Sequence, residues 1–220
     1  MEHKRLTLFA GHYGSGKTNI AVNYALLLAK MGKKVCIADL DIVNPYFRTK
    51  DSADVLKKAG IELVSPQFAN TNVDLPALPA EAYKLVTDKK TYGIMDIGGD
   101  DRGAYALGRY VPSIKEENNY RLVFVANCYR PLTRTPEEAL EVMREIEAAC
   151  KLNFTDIINN SNLGEETTAD TVLASQDFIK TLSEISGLPL FAHTAAKSVA
   201  EKLKGTLDPV ISLDLQKKLF

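Results

Sequence analysis

Short apolar runs alternate with longer segments of helical periodicity along most of this chain. We predict strands at seven of these runs, residues 5–10, 33–39, 61–65, 92–97, 120–127, 154–159 and 188–193. Several are apolar throughout, which is typical of strands that are covered on both faces of a sheet. The alternation predicts an α/β fold with a doubly wound, mostly parallel β-sheet and helices on both faces. Since we find no repeat, linker or low-complexity segment, we expect residues 1–220 to form one domain.

Helix boundaries are marked by capping residues. Residues 17–31 are nearly continuously apolar or small and end at Gly32, a residue that commonly follows the end of a helix. A second helix is predicted to begin after Thr135, which has Pro136 next to it and Glu138 three residues on. This spacing is that of a capping box, in which the Thr and Glu side chains satisfy free backbone N–H groups.

Three further segments complete the predicted layout. Residues 169–186 are predicted to form one helix, whose apolar side consists of Val172, Ile179, Leu182 and Ile185. The proline-rich segment 65–79 is the most loop-like part of the chain. The tail, residues 207–220, carries apolar residues at helical spacing with two lysines and two aspartates, and we expect a final helix that packs on the domain rather than on a membrane.

Composition narrows the classes of partner and compartment. The chain has 27 Lys plus Arg and 28 Asp plus Glu, a net charge of −1, which gives no support for nucleic-acid binding. Its three cysteines are far apart and form no CxxC pair, so neither a disulfide framework nor a cysteine metal site is predicted. The first residues lack the apolar core of a signal peptide, and no run approaches the roughly 20 apolar residues of a membrane span. We therefore expect a soluble cytoplasmic protein.

The clearest chemical motif follows the first predicted strand and opens the first predicted helix. It matches the phosphate-binding pattern G-x-x-x-x-G-K-[ST], or P-loop, and consists of Gly11, His12, Tyr13, Gly14, Ser15, Gly16, Lys17 and Thr18. Glycines let the backbone curl so that its N–H groups point inward, and the helix start adds partial positive charge. Lys17 is predicted to reach the outer phosphates and Thr18 to ligate Mg²⁺, with Asn19 as the last nucleotide-contacting residue.

Two aspartates follow the second predicted strand. Asp39 and Asp41 lie at the carboxyl end of that strand, the edge at which open α/β sheets bind ligands. Carboxylates beside a bound triphosphate repel it unless a cation lies between, so we predict that both help to hold Mg²⁺ or a reacting water. A solvated turn or helix cap is the alternative interpretation.

Together with the phosphate loop, the stretch DLDIVNP at 39–45 and the strand YGIMDIGGD at 92–100 resemble the MinD/ParA/nitrogenase-iron-protein group of P-loop ATPases (the CobQ/CobB/MinD/ParA family). The resemblance spans most of the chain. It implies that Asp41 positions or activates the attacking water in switch I, and that Asp96 holds Mg²⁺ through a water. It also implies a catalytic, nucleotide-sensitive switch II that runs from Asp96 to Asp100, whose paired glycines can change conformation.

The chain departs from this family at one conspicuous position. The family carries an extra lysine early in the loop, which reaches across a dimer to the partner's nucleotide. Here His12 stands at that position, and Tyr13 replaces the next glycine. We predict that another cation takes its role, with Arg48 as first candidate and His12 as second; a plain surface arginine is the alternative for Arg48.

Asparagines after the sixth predicted strand are the candidates for recognition of the nucleotide base. In the family an asparagine at this point reads the base edge, which favours Asn160 here, with Asn159 as alternate. The guanine-reading aspartate of GTPases would fall at Leu163, which favours ATP over GTP. A polar turn is the alternative interpretation. Family contacts to adenine come from the segment Leu188–Ala195, which makes Pro189 a further candidate.

The use of the nucleotide has two interpretations from different classes. The resemblance favours a nucleotide-switched ATPase, expected as a homodimer, that acts on an unidentified protein partner. The alternative is an ATP-dependent ligase or amidase that resembles dethiobiotin synthetase or the cobyrinate amidation enzymes, which also lack the extra lysine. Its acceptor pocket could be lined by segment 65–79 and by Asp100, Asp101, Arg102 and Arg109. A third interpretation, a binding protein without turnover, is disfavoured by Asp41.

Overall fold

The computed structural model describes residues 2–40, 52–64, 80–98 and 107–215. Its strands are β1 (Leu6–Ala10), β2 (Val35–Leu40), β3 (Glu62–Val64), β4 (Tyr92–Ile97), β5 (Tyr120–Ala126), β6 (Asp156–Asn159), β7 (Leu190–Ala196) and β8 (Val210–Leu213). Its helices are α1 (Lys17–Lys30), α2 (Ala53–Lys58), α3 (Lys84–Thr87), α4 (Val111–Glu117), α5 (Pro136–Cys150), α6 (Ala169–Leu173), α7 (Gln176–Ser186) and α8 (Lys197–Leu203). Short 3₁₀ turns cover Ala80–Tyr83 and Gly164–Glu166.

All eight strands belong to one parallel sheet. Their order is β3-β2-β4-β1-β5-β6-β7-β8, with β1 near the centre between β4 and β5. Parallel strands need crossover connections, and helices supply most of them here. The predicted α/β fold with a doubly wound sheet is confirmed. Because the strands are parallel, their carboxyl ends all lie at one edge of the sheet, which we call the carboxyl edge.

The sheet is buried on both faces by two separate apolar clusters. Along β1, Leu6, Leu8 and Ala10 join one cluster while Phe9 joins the other, as the two-residue period of a strand requires. The first cluster includes residues of α4, α5 and α7, and the second is built largely on α1. Burial on both faces explains why these strands read as continuous apolar runs in the sequence.

The predicted capping residues are in place. The Thr135 hydroxyl accepts from the backbone N–H of Glu138, and the Glu138 carboxylate accepts from the backbone N–H of Thr135, which completes the capping box of α5. At the other end of α1, Gly32 has a φ of +76°, a conformation that costs glycine little. These local signals therefore fix where α1 ends and α5 begins.

The predicted helix over 169–186 is interrupted, which corrects that prediction. The chain forms α6 and α7 with a break at Ala174 and Ser175. The fully buried Ser175 hydroxyl donates to the carbonyl of Val172, a bond that competes with continuous helix. Ile185, expected on the apolar side, is 41% exposed, whereas Ile179 and Leu182 are buried as expected.

The predicted final helix is also wrong within the described residues. Val210–Leu213 form strand β8 instead, parallel to the open edge of β7. Ile211 and Leu213 face the cluster on α1, and the exposed Ser212 lies between them. No helix in the described parts of the chain is long and apolar enough to cross a membrane.

Candidate functional site

The phosphate-loop motif connects β1 to α1 at the carboxyl edge, as its pattern predicts. His12 to Ser15 form a tight turn in which the backbone N–H of Ser15 donates to the carbonyl of His12 at 3.1 Å. Gly14, the third residue of this turn, has a φ of +74°. The φ of Tyr13, the second residue, is not positive. This is the backbone pattern of a type II turn, which requires glycine or asparagine at that place.

Close approach to other elements explains two of the loop glycines. A Cβ atom on Gly11 would lie 2.7 Å from the carbonyl oxygen of Val125 in β5. A Cβ atom on Gly16 would lie 2.2 Å from Nδ2 of Asn160, and the φ of Gly16 is +94°. The loop is therefore seated directly against β5 and the end of β6, and side chains at these positions would push it away.

Lys17 begins α1 and is 5% exposed. Its ammonium donates to the carbonyl of His12 at 3.2 Å, so it is folded over the turn in the volume that a phosphate group would enter. Thr18 follows it and is 7% exposed. A buried cation beside a glycine-rich turn at the start of a helix is the arrangement that binds anionic phosphates.

Asp39 and Asp96 are neighbours in the sheet. They pair in register between β2 and β4, each one residue before the end of its strand, and both are buried. Asp96 also pairs with Phe9 of β1, two residues before the phosphate loop begins. Two of the predicted Mg²⁺ carboxylates, Asp39 and Asp96, therefore lie on strands β2 and β4.

The donor set suits Mg²⁺ bound together with a nucleotide. Mg²⁺ usually takes one or two carboxylates and completes its shell with waters and substrate phosphates. Asp39, Asp96 and the Thr18 hydroxyl supply such oxygens near the loop. Within the described residues no group of three or more His, Cys, Asp or Glu side chains could hold a metal by itself.

The Asn160 side chain bonds directly to the phosphate loop. Its Nδ2 donates to the carbonyl of Ser15 at 2.6 Å, and its Oδ1 accepts from the Thr194 hydroxyl of β7 at 2.6 Å. The residue is 5% exposed. Beyond these two bonds, the Asn160 amide has a second N–H and a second lone pair with which it could bind a base. The role of Asn160 in base recognition stays a prediction.

Asn159, the alternate base reader, faces the protein interior, which corrects that prediction. It is fully buried, and its Nδ2 lies within hydrogen-bond distance of the Ser175 hydroxyl and of Nδ1 of His193. Its Oδ1 accepts from the backbone N–H of Ser161. Burial lowers the pKa of His193, which keeps this ring neutral and able to accept from the amide. The cluster joins β6 to β7 and to the residue that precedes α7.

Pro189 lies at the opposite edge of the sheet from the phosphate loop, which corrects its assignment. It precedes β7, and its carbonyl accepts from the backbone N–H of Ile157 near the start of β6. The whole of β7 separates it from the carboxyl edge, about 20 Å at the usual rise per residue. The end of β7 that lies at the carboxyl edge is Ala196.

A cavity of about 410 Å³ opens at that place. It lies where β7 and β8 end and α8 begins, and its lining includes Lys197, Glu201 and Asp214. Backbone N–H and C=O of Asp214 are both bonded to the Asn23 side chain of α1, which ties the cavity to the helix that follows the phosphate loop. Its position at the carboxyl edge suits the nucleoside part of a ligand.

The two residues that replace the family's Lys-Gly pair differ in setting. Tyr13 is 55% exposed at the tip of the turn. His12 is half-buried, and burial lowers the pKa of its imidazole, with the neighbouring Lys17 charge acting in the same direction. A backbone hydrogen bond at Tyr13 offsets this only in part. His12 is therefore neutral near pH 7 before any anion binds.

A cation that the sequence analysis missed lies against the loop. Arg130, in the connection between β5 and α5, donates from Nε to the carbonyl of Gly14 at 3.0 Å. The sequence gives one indication of Arg130, namely its position after the predicted strand β5. Residues that follow a strand next to β1 lie at the same edge of the sheet as the phosphate loop. The residues around Arg130 in the sequence do not distinguish it from Arg134, which follows four positions later.

Other predicted residues lie outside the described parts of the chain. These are Asp41, Arg48, Asp100, Asp101, Arg102 and segment 65–79. Arg109 is described and exposed, just before α4. The predicted roles of all of them stay predictions.

Comparison with known sequences agrees with the site. A profile of the CbiA family, described as the CobQ/CobB/MinD/ParA nucleotide binding domain, matches residues 6–172. The match covers the phosphate loop, both buried aspartates and Asn160. No curated protein matches the chain.

Solved structures share the fold at low identity. The cell division protein FtsY of Thermotoga maritima has a TM-score of 0.57 at 18% identity, over 86% of this chain and 60% of that one. Chloroplast FtsY of Physcomitrella patens gives 0.57 and 18%, over 86% and 58%. The 54 kDa signal recognition particle protein of Aeropyrum pernix, in complex with GDP, gives 0.52 and 16%, over 84% and 40%. This chain thus spans between 40% and 60% of the length of these three structures.

Proposed function

Because the chain belongs to the CobQ/CobB/MinD/ParA nucleotide-binding domain family, we propose that it binds and hydrolyses ATP with Mg²⁺ and acts as a nucleotide-controlled switch on a protein partner. The observation that carries this proposal is the placement of buried Lys17 and buried Asp96. Lys17 opens the helix after β1, and Asp96 lies in register with β1 on the neighbouring strand. A nucleotide phosphate at this edge meets a cation, backbone N–H groups and a metal-binding carboxylate together.

The residues of the loop divide the chemical work. Backbone N–H groups of the loop and Lys17 bind the phosphates and stabilise the charge that develops during phosphoryl transfer. Asp39, Asp96 and Thr18 would hold Mg²⁺, and the ion would supply positive charge that offsets the negative charge of the phosphates. By family resemblance Asp41 orients the attacking water, and Asp100 belongs to the segment that responds to the terminal phosphate.

ATP is the proposed nucleotide, although one of the structural relatives binds GDP. Leu163 stands where a guanine-reading aspartate would follow Asn160, and it is 45% exposed with no group that accepts from a guanine. Titration of the protein with ATP and with GTP tests the choice. At least about tenfold tighter binding of ATP supports it, and equal or tighter binding of GTP overturns it.

The switch part of the proposal rests on the glycine pair after Asp96. Gly98 is described and buried, and Gly99 comes next in the sequence, so the chain leaves the metal-binding strand through paired glycines. Such a segment can adopt different conformations with and without a terminal phosphate. We propose that the conformational change is passed to a dimer partner and then to another protein.

Sedimentation tests this part. The protein is compared without nucleotide, with ADP and with a non-hydrolysable ATP analogue, each with Mg²⁺. Dimerisation that needs the ATP analogue supports the switch. An assembly state that ignores the nucleotide overturns it and favours the second candidate, an ATP-dependent small-molecule ligase. That candidate is favoured by one observation, the His12–Tyr13 pair in place of Lys-Gly.

A further inference from the structure

We propose that Arg130 binds the outer phosphates of the nucleotide in the same subunit and so supplies a second cation beside Lys17, in place of the family's extra lysine. The inference rests on the proposed nucleotide-binding function. It assigns a new residue to the site, and its test separates the two claims.

Contact with the loop is the first observation. Nε of Arg130 donates to the carbonyl of Gly14 at 3.0 Å, and its side chain would lie 3.8 Å from a Cβ atom built on Gly14. The Lys17 ammonium also bonds this turn, at 3.2 Å from the carbonyl of His12. The two cations therefore each bond a carbonyl of the four-residue turn His12 to Ser15. Since lysine at this position reaches the outer phosphates, the guanidinium is proposed to reach the same groups.

The second observation concerns the positive charge of Arg130. Among the described residues, Arg130 donates a side-chain hydrogen bond only from Nε, and no carboxylate forms an ion pair with it. Arg130 is half-buried, so its charge is partly removed from water. The terminal amino groups present a planar pair of donors that matches two phosphate oxygens. An anion at the loop would give this charge a partner.

A rigid loop is the third observation. The backbone N–H of Arg130 donates to the carbonyl of Asn127, which also accepts from the buried Thr133 hydroxyl at 2.8 Å. The fully buried Asn127 side chain accepts from the backbone N–H groups of Tyr129 and Asn162. These bonds join residues of the connection between β5 and α5 to one another and to the segment after β6. Little further ordering of this loop is therefore needed when a ligand binds.

Two roles for Arg130 must be separated by experiment. It could act only as a brace that holds the Gly14 carbonyl, or it could bind phosphate through its charge. Arg130→Lys keeps the charge and loses the planar donors, and Arg130→Gln keeps a neutral N–H donor and loses the charge. Arg134→Ala is the matched control, because Arg134 is exposed in the same loop and its backbone only caps α5.

The measurement is calorimetric titration of each variant with a non-hydrolysable ATP analogue and with ADP, both with Mg²⁺. We expect Arg130→Ala and Arg130→Gln to weaken the ATP analogue about tenfold to a hundredfold, the range of a charge-assisted bond. We expect Arg130→Lys to recover most of the loss. Binding of ADP should fall by less than about threefold in all variants, and Arg134→Ala should bind as the wild type does.

Three outcomes overturn the proposal. Recovery by Gln and not by Lys means that Arg130 is a brace. Equal losses for the ATP analogue and ADP mean that the loop itself is damaged, and unchanged affinity in Arg130→Ala means that the guanidinium makes no contact. If the wild type binds neither nucleotide, the proposed function fails first, and this result is distinct from the other three.

Discussion

The side-chain amide of Asn160 donates to the backbone carbonyl of Ser15 with an N–O distance of 2.6 Å. This bond joins the end of β6 to the centre of the phosphate loop, and Thr194 of β7 holds the other end of the same amide. The approach is so close that the next residue of the loop, Gly16, has no room for a side chain. The geometry of the loop therefore depends on strands that lie two and three positions away in the sheet.

Gly16→Ala tests this dependence. The new Cβ atom would lie 2.2 Å from Nδ2 of Asn160, so either the loop or the amide must shift. We expect nucleotide affinity to fall more than about tenfold while the protein stays folded. The control is Gly187→Ala at the end of α7, which has a similar positive φ of +72° with open space around it and lies at the opposite edge of the sheet. Calorimetric titration and thermal melting of both variants measure the difference. Equal affinity losses in the two would contradict the account.

The pH dependence of binding should report on His12. Burial lowers the pKa of its imidazole below the ordinary 6.5, and a bound phosphate would favour the charged form. Because the bound state then has the higher pKa, affinity should increase as the pH falls through the interval between the pKa values of the bound and the free protein. His12→Gln removes the titrating group and should remove this increase, which also corrects for protonation of the nucleotide itself. Dissociation constants measured from pH 5.5 to 8 decide; parallel curves for the two proteins would exclude a role for His12.

Asp96→Asn should uncouple nucleotide binding from Mg²⁺. The amide keeps the size of the side chain but loses the charge that attracts the ion. We expect the variant to bind ATP with the same affinity in Mg²⁺ and in EDTA, whereas the wild type binds more tightly with Mg²⁺. Asp156→Asn is the matched control, since Asp156 begins β6 at the far edge and pairs with Arg121. A Mg²⁺ effect that survives in Asp96→Asn would remove Asp96 from the metal site.

A buried ion pair far from the loop gives a prediction on stability. Arg5 and Glu117 form a two-point salt bridge, with side chains 6% and 9% exposed. Arg5 also donates to the carbonyls of Leu85 and Thr91, so the pair joins β1, α4 and the start of β4. Loss of one buried partner leaves the other charge uncompensated, and we expect Glu117→Gln to lower the free energy of unfolding by about 3 kcal/mol at pH 7. The exposed neighbour Glu116→Gln should change it by less than about 0.5 kcal/mol.

Acid should remove the difference between Glu117→Gln and the wild type. Burial raises the pKa of Glu117, but hydrogen bonds from Arg5 and Lys89 outweigh it, so the pKa lies below the ordinary 4.5. A lowered pKa in the folded state stabilises the fold above pH 4.5, and this stabilisation is lost as the pH falls through the folded value. Urea unfolding at pH 7 and pH 3 measures the change. A gap that is constant with pH would mean that the charge of Glu117 is not what stabilises the fold.

Local sequence patterns predicted most of the secondary structure. They failed where contacts with another part of the fold determine the conformation of a segment. The seven predicted strands and the capping box at Thr135 depend on the composition of the segment itself. Strand β8 does not, because Val210–Leu213 become a strand only beside the open edge of β7. The break before α7 depends likewise on Ser175, whose hydroxyl accepts from the Asn159 amide sixteen residues earlier. Tertiary contacts of this kind leave no periodic signal in a sequence.

The site shows the same division. The glycines, Lys17 and the two buried aspartates belong to motifs, so they could be placed on the carboxyl edge in advance. Pro189 was taken from the family's adenine-contacting segment, Leu188–Ala195, although it lies at the start of this segment and precedes β7, whose other end at Ala196 lies at the carboxyl edge. Arg130 belongs to no motif, and its contact with Gly14 bridges 116 residues of sequence. Only the sheet order, with β5 beside β1, brings the two together.

The central claim is that the phosphate loop binds MgATP through Lys17. Calorimetric titration of the wild type and of Lys17→Ala with ATP and Mg²⁺ tests it most directly, with the exposed Lys30→Ala at the far end of α1 as control. We expect micromolar or tighter binding by the wild type and Lys30→Ala, and no binding by Lys17→Ala at nucleotide concentrations about a hundredfold higher. Retained micromolar affinity in a folded Lys17→Ala protein would contradict the assignment of the site.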